Sequence, residues 1–546
     1  MRILGATLNN GGTVEFGDFN TFGGGNGVGK SSFITELYLR SLNGHKSKFF
    51  WIKENNIQCA NIKENMNLLK NSLQRKHEGP NLTYYSPSAK NIDGNVDNSE
   101  FFTPSEYDSI NSIADLSFLA VPKYIKPFIT FASCEARLNF NDSAGLIGLS
   151  QPPQDPINLL YRDKKLLKRM ANIVFDIFKR KLVILDHNKI TLHIGLSKND
   201  PPTFDLDAED SQVEYYKIEA WKNEYFTPIS EAGHGIRSMI KLLMTVLDPV
   251  NQIIIIDEPE MHLFRAHKRW IGKLLVELAK KQEKQVFLVT HDSLVFQSII
   301  ESDLKTDIFI IDRDKDDVGR IKSCGLDNTT EINSIRNQPE LLQAIFYQYS
   351  IIVEGASDRA LYQNTTEDLS HPISEKDLGF VISSGAGMSK HVSKLVTQLN
   401  LKAAFIFDYD VLLKDLTLIK DIFKTLGGQP SDFDTLENLL DTHPSVKEAT
   451  DKYKAIKALC GYSDRFGMTS DWAKKNIEIF DALIKRLQKK GIFIVPNGSL
   501  ESWAPEVEAK QRFAEYAPAI IANNTQLALQ FICFFDQIFE YLEGIN

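Results

Sequence analysis

The sequence predicts two α/β units in tandem, the first a parallel sheet around a Gly-rich loop, the second a smaller sheet interrupted by a helical insertion. Three observations predict this. The loop Gly24-Gly25-Asn26-Gly27-Val28-Gly29-Lys30-Ser31 stands between a strand-like and a helix-like run. Four isoleucines, Ile253 to Ile256, run into Asp257-Glu258. A fresh strand signal begins at Ser350 and ends in Glu354-Gly355, and a later one ends in Asp408-Tyr409-Asp410.

At 546 residues the chain exceeds what one hydrophobic core usually organises, so two domains are expected. With 43% hydrophobic and 24% charged residues it has ordinary globular composition. The net charge of -9 excludes a global attraction to nucleic acid, leaving local basic patches or metal ions between acids and phosphates. Cys59, Cys134, Cys324, Cys460 and Cys533 have no CxxC spacing, which argues against a zinc site or a disulfide framework and makes a reducing cytoplasm the simplest location. Met1-Arg2-Ile3-Leu4-Gly5 lacks the apolar core of a signal peptide. The most apolar stretch, 527–539, is broken by Gln530, Asp536 and Gln537 and reads as a core helix, so no membrane partner is expected.

In chain order, residues 2–8 and 13–16 flank Asn9-Asn10-Gly11-Gly12, a hairpin signal. Residues 19–22 read as a strand and 32–39 as a helix, bracketing the Gly-rich loop. That context suits a polyphosphate, because the loop and helix start aim backbone N–H groups at it. Gly24, Asn26, Gly27, Gly29, Lys30, Ser31 and Ser32 are the nucleotide-contacting set, with Lys30 on the outer phosphates and Ser31 on Mg²⁺. Residues 75–112 are polar and turn-rich, a mobile surface insertion without assigned chemistry. Residues 157–181 have helical spacing and a rim of Lys and Arg, which reads either as a face for a phosphate backbone or as a solvated helix face. Residues 181–196 and 213–226 read as strands.

The isoleucine run suits a central parallel strand covered on both faces. At its end Asp257 would hold Mg²⁺ and Glu258 would polarise the attacking water. A further strand, 285–290, ends at His291, placed to sense the γ-phosphate. Between the Gly-rich loop and the isoleucine run, Ser230, Gly233 and Gly235 open a helical run, where N–H groups can meet a γ-phosphate. This order of motifs resembles the ATP-binding-cassette branch related to structural-maintenance and Rad50-type ATPases. The resemblance implies two heads sandwiching ATP, hence at least a homodimer, with Ser230, Gly233 and Gly235 the nearest counterparts of the family's LSGGQ signature. Gln151 and Gln154 are the candidates for its Q-loop glutamine. No long heptad region separates the motifs, which excludes a Rad50-like coiled-coil arm.

After a helical connector at 331–348, Glu354 ends a strand beside a glycine that lets the backbone turn away. Asp408 and Asp410 point the same way if their strand continues through them. Carboxylates converging in a small volume repel unless a cation is present, and all-oxygen ligands favour Mg²⁺ or Mn²⁺. The pattern resembles a TOPRIM domain. That implies Glu354 as a metal-site acid and acid/base, Asp408 and Asp410 as metal ligands and Asp358 as a supporting acid. The strand ending in Gly385-Ala386-Gly387 offers a turn that can approach a phosphate. Residues 430–490 read as a helical insertion, and after the strand at 491–496 Glu501 offers one more acid for a second metal.

An ATPase at 1–330 followed by TOPRIM at 349–546 resembles the overcoming-lysogenization-defect (OLD) nucleases. The resemblance implies DNA cleavage governed by ATP, through Mg²⁺ or Mn²⁺, in antiphage defence. The partners it implies are a defence-system protein or a retron noncoding RNA. Some members carry a catalytic lysine near the last acidic motif, for which Lys489 and Lys490 are the candidates here. The competing expectation is an ATP-gated sensor or assembly scaffold whose TOPRIM domain binds nucleic acid or a partner without cutting.

Overall fold

The computed structural model describes residues 1–42, 50–58, 62–72, 74–78, 81–85, 102–113, 126–138, 142–146, 156–186, 189–196, 220–221, 224–302, 306–313, 318–324, 339–383, 385–414, 416–496, 498–507 and 513–545. Gln151 and Gln154 lie outside them, as does most of the strand expected at 213–226. The chain divides into two compact units, Met1–Phe22 with Gly29–Phe309, and Gly23–Val28 with Ile310–Asn546. The division therefore falls before the expected boundary at 330, and the loop tip counts with the second unit. Two contacts account for that: a Cβ on Gly24 would lie 2.2 Å from the Ile311 carbonyl, and Arg313 Nε donates to the Val28 carbonyl at 3.0 Å.

In the first unit, strand β1 (Arg2–Leu8) turns back into β2 (Thr13–Glu15), pairing Ala6 with Val14, as the Asn-Asn-Gly-Gly turn predicts. Strand β3 (Phe19–Gly23) leads through the Gly-rich loop into helix α1 (Lys30–Ser41). Strand β4 (Ile52–Gln58) completes an antiparallel sheet on the other side of β1. Strand β5 (Ile129–Ala132) is followed directly by the short helix α2 (Cys134–Leu138). The basic stretch is two helices, Pro156–Arg162 and α3 (Lys164–Phe178), because Asp163 caps the second with its carboxylate, accepting from the N–H groups of Lys165 and Leu166. Met170 and Val174 face the core, while Lys164, Lys165 and Lys168 are exposed.

Helix α4 (His234–Leu247), strand β6 (Ile253–Asp257), helix α5 (Arg265–Lys281) and strand β7 (Gln285–Val289) complete this core. The strands β3, β7, β6 and β5 are neighbours in that order and run parallel. Ile253 to Ile256 have no solvent exposure, as a strand covered on both faces requires. Phe22 packs on Phe33 with ring centroids 5.2 Å apart, so the start of α1 sits on an aromatic floor continuous with β3. The insertion expected to be mobile is ordered at both ends: Gln74–Glu78 pairs with Asn81–Tyr85, and Phe102 and Ile110 are buried against Met66, Leu69 and Phe128. Those two apolar side chains tie its final third to residues on either side of it in the chain.

In the second unit, β8 (Tyr349–Val353), β9 (Leu378–Ile382), β10 (Ala403–Phe407) and β11 (Ile492–Ile494) form a parallel sheet ordered β9-β8-β10-β11. Helix α6 (Ala356–Asp368) follows β8, and α7 (Ala386–Gln398) follows β9. Between β10 and β11 lies the helical insertion, whose elements include α8 (Lys452–Cys460), the two-stranded turn Tyr462–Met468 and α9 (Asp471–Gln488). The final helix, Thr525–Gly544, buries Phe531, Phe534, Phe535, Ile538 and Leu542 along one face, which is the core role expected of it. Among the described residues no helix is long and apolar enough to cross a membrane.

Candidate active sites

The first site gathers at the ends of β3, β6 and β7. Gly24, Gly27 and Gly29 have φ of 143°, 73° and 95°, conformations that a side chain would strain, and so the loop needs glycine there. Lys30 is 2% exposed, while Asn26, Gly27 and Ser32 face solvent. Ser31 Oγ donates to Asp257 Oδ1 at 3.0 Å, so the two groups expected to share Mg²⁺ already meet. Burial, opposed by the Ser31 bond, pushes the Asp257 carboxyl up to about 6.

Glu258 has φ of 48°, a left-handed conformation costly for a residue with a Cβ. Its N–H donates to the Val289 carbonyl at 2.9 Å, and its Oε1 lies 3.2 Å from His291 Nε2. Burial and the neighbouring Lys30 lower the His291 pKa to about 4, so the ring is neutral at pH 7 and a proton on Nε2 can be donated to Glu258. The strand-end residues called from sequence are therefore brought together. Glu260 anchors the histidine loop: its Oε1 accepts from Thr290 Oγ1 at 2.8 Å and from the His291 N–H at 2.9 Å. Ser230 is tied to Asp142 Oδ2 through both N–H and hydroxyl, at 3.0 and 2.5 Å. Gly233 caps α4, and Gly235 must be glycine because a Cβ there would lie 2.5 Å from the His262 carbonyl.

Arg137 went unread in the sequence, yet it braces this site. It is 1% exposed and donates to the carbonyls of Ala132, Asp257 and Glu258 at 2.8, 2.7 and 2.6 Å, and from Nε to Ser238 Oγ at 3.0 Å. One buried guanidinium thus joins β5, the end of β6 and the first turns of α4. Charge-assisted bonds to both carbonyls flanking the strained Glu258 hold that backbone in place.

The second site lies at the tips of β8 and β10. Glu354 and Asp358 stand at the start of α6, Asp408 and Asp410 after β10, and Glu501 in the short 3₁₀ turn Leu500–Trp503. Strand β10 ends at Phe407, so the alternation expected to align Asp408 with Asp410 does not apply. A turn aligns them instead: the Tyr409 N–H donates to the Gly498 carbonyl at 2.7 Å, and Tyr409 is buried beside Tyr462.

The five acids act on one another. Burial, then Asp358 and Asp410, push Glu354 up to about 7; burial, with Glu501, pushes Asp358 up to about 6. Asp408 is raised by burial and then by Asp358, Glu354, Asp410 and Glu501. Its Oδ1 is buried without a hydrogen-bond partner. An orphaned carboxylate oxygen among four other acids fits a hard divalent cation. Among the described residues, however, no three His, Cys, Asp or Glu side chains are arranged closely enough to form a ligand shell. The lysines that act on Asp410 are Lys414 and Lys457, with Lys457 on the insertion 3.3 Å from Asp464. The sequence candidates sit elsewhere, Lys489 capping α9 and Lys490 Nζ 3.7 Å from where a Gly427 Cβ would be.

These shifts set a pH dependence. Glu354 and Asp358 keep protons in the fold that they would lose in the unfolded chain, so folding stability should fall as pH rises from about 4 to about 7. Asp408, raised by burial and then by the neighbouring acids, adds to this slope. In EDTA, the melting temperature of Asp408→Asn should decline less over this window than that of the unsubstituted chain, by about 3 °C or more. Equal slopes would show that Asp408 holds no extra proton in the fold.

The AAA ATPase domain family matches residues 153–295, which include Ser230, Asp257 and His291 but not the phosphate loop. The overcoming lysogenization defect protein-like TOPRIM domain family matches residues 345–410, taking in Glu354, Asp358, Asp408 and Asp410. A curated protein of Thermus scotoductus called OLD nuclease is 22% identical over 208 residues, 35% of this chain. The match spans 37% of that relative's length, little more than a third. Among solved structures, an Smc head bound to the C-winged helix domain of ScpA is 13% identical with a TM-score of 0.34, over 61% of this chain and 100% of that one. The SMC head domain from Thermotoga maritima is 13% identical with a TM-score of 0.30, over 60% of this chain and 100% of that one. At those scores the likeness carries no argument about function.

Proposed function

We propose that this chain, an ATPase–TOPRIM fusion of the overcoming-lysogenization-defect type, is an ATP-hydrolysing DNA endonuclease dependent on Mg²⁺ or Mn²⁺. The observation that carries the reading is the cluster of Glu354, Asp358, Asp408, Asp410 and Glu501 around an unpartnered Asp408 oxygen. Such a concentration of repelling acids has no structural use without a cation.

Glu354, Asp408 and Asp410 would hold a divalent metal, with Asp358 and Glu501 toward a second. Bound there, the metals would supply positive charge that lowers the pKa of a water and steadies the departing 3′ oxygen. Glu354 would also be the acid/base of the cut in this reading. Lys414 and Lys457 set positive charge beside Asp410, where a phosphate backbone must pass. At the first site, Gly24, Asn26, Gly27, Gly29, Lys30 and Ser32 would cradle the phosphates of ATP, and Ser31 with Asp257 would hold its Mg²⁺. Glu258 would take the proton of the attacking water, oriented by His291.

The same reading has two copies joined through their ATPase units, each presenting Ser230, Gly233 and Gly235 to the other's nucleotide. Its setting is antiphage defence, with a defence-system protein or a retron noncoding RNA as partner. The order of motifs supports the pairing of the ATPase units, and the likeness to the overcoming-lysogenization-defect type suggests the setting. Arg137 belongs to the hydrolytic machinery as a positioning residue. Arg137→Met should lower the ATP turnover number by about tenfold or more while nucleotide affinity changes by less than about threefold. Equal losses in both would assign it to binding instead.

One observation favours a second reading, a TOPRIM unit that binds nucleic acid or a partner without cutting: no three acids form a ligand shell among the described residues. The deciding experiment incubates the protein with supercoiled and linear DNA in Mg²⁺, Mn²⁺ or EDTA, with and without ATP. Metal-dependent cutting supports the nuclease. DNA binding with no cutting under any condition overturns it in favour of the scaffold.

A further inference from the structure

A hairpin of the insertion forms one wall of the acid cluster and carries an exposed aromatic at its tip. Tyr462–Ser463 pairs with Gly467–Met468, and Phe466 between them is 66% exposed. A single exposed apolar side chain is ordinary on a protein surface. This one differs in where it sits and in how firmly it is held.

Tyr462, at the hairpin's start, stacks on Tyr409, which lies between Asp408 and Asp410, with ring centroids 6.3 Å apart. The Asp464 carbonyl accepts from the Ser499 N–H at 2.9 Å and lies 3.0 Å from Ser499 Oγ, which is itself 2.5 Å from Glu501 Oε2. Two residues upstream of Phe466, the hairpin is thus one hydroxyl away from the last acid of the site. Arg465 donates to the carbonyls of Pro505 and Val507 at 3.2 and 3.0 Å, and the Phe466 N–H donates to Ser463 Oγ at 3.2 Å. Lys457 lies over the Tyr462 ring at 5.0 Å. The backbone on either side of Phe466 is therefore fixed, its ring is offered to solvent, and Lys457, against Tyr462 of the same hairpin, supplies a charge that draws a phosphate backbone.

We infer that Phe466 is a stacking wedge, which takes the face of a nucleobase next to the phosphate held at the acid cluster. An aromatic face accepts any base, so it would position a DNA strand without reading its sequence. Because the hairpin is already ordered, little conformational freedom is lost on contact. The inference rests on the nuclease reading and adds how the strand is held.

The test uses the full chain with oligonucleotides carrying 2-aminopurine, in Ca²⁺ for binding and in Mg²⁺ or Mn²⁺ for cutting. Binding to the unsubstituted protein should raise the fluorescence as the base leaves its neighbours. Phe466→Ala should abolish the rise and weaken binding by roughly 5- to 100-fold, while Phe466→Trp keeps the affinity. The melting temperature should not change, since the ring is exposed. If Phe466→Ala binds and cuts normally, or if unsubstituted protein cuts without any fluorescence rise, the wedge is wrong and the nuclease stands. If the unsubstituted protein neither binds nor cuts nucleic acid, both fall together.

Discussion

Asp408→Ala should reduce metal-dependent DNA cleavage by about a thousandfold or more, because in the nuclease reading the metals that Asp408 would help to hold supply most of the charge stabilisation of the displacement. The same variant should hydrolyse ATP within about twofold of the unsubstituted rate. The contrast is expected because Asp408 lies in the second unit, while Asp257, Glu258 and His291 lie in the first. Misfolding is not a ready escape from this prediction. Asp408 is buried, acted on by four other acids and unpartnered at Oδ1, so its loss relieves repulsion. In EDTA the variant should melt no lower than the unsubstituted chain. Cleavage assays in Mn²⁺ with parallel phosphate-release measurements check both halves. Cutting that survives the substitution would place the active site elsewhere, and loss of both activities would point to coupling through ATP rather than to a metal ligand.

What could be read from the sequence divides along a physical line. The phosphate loop, the Asp257-Glu258 strand end and His291 were legible because local backbone geometry dictates residue type at fixed spacing: three glycines with positive φ, then a lysine and a serine opening a helix. Glu354, Asp408 and Asp410 were legible as acids at strand ends and Glu501 as an acid following a strand, while Asp358 came only through the TOPRIM resemblance. Asp408 and Asp410 were expected to align along a continuing strand, whereas the strand ends at Phe407 and a turn carries both. Arg137 was not legible, because its partners Asp257 and Glu258 lie 120 and 121 positions away and its value comes from carbonyl groups that every residue has. Lys457, Asp464 and Phe466 were hidden for a related reason. Within a stretch read only as a helical insertion, nothing local says which turn will fold back over the acids.

Glu258→Gln should slow ATP turnover by about a hundredfold or more while nucleotide stays bound, since a neutral amide of the same shape keeps the packing but cannot take a proton from water. The surroundings favour this outcome over collapse of the site. The left-handed backbone at Glu258 is held through its own N–H to Val289 and its carbonyl to Arg137, neither of which involves the side chain. His291 Nε2, 3.2 Å from Oε1 of the acid, can donate to an amide oxygen in the same place, so the histidine keeps its position. Asp257 and Ser31 retain their contact, and the Mg²⁺ position expected there is untouched. The measurement is single-turnover hydrolysis beside equilibrium binding of a fluorescent nucleotide. Slow chemistry with unchanged affinity identifies Glu258 as the general base. Unchanged chemistry would move that role away from Glu258, and weakened binding without a change in the chemical step would make it a ligand of the nucleotide.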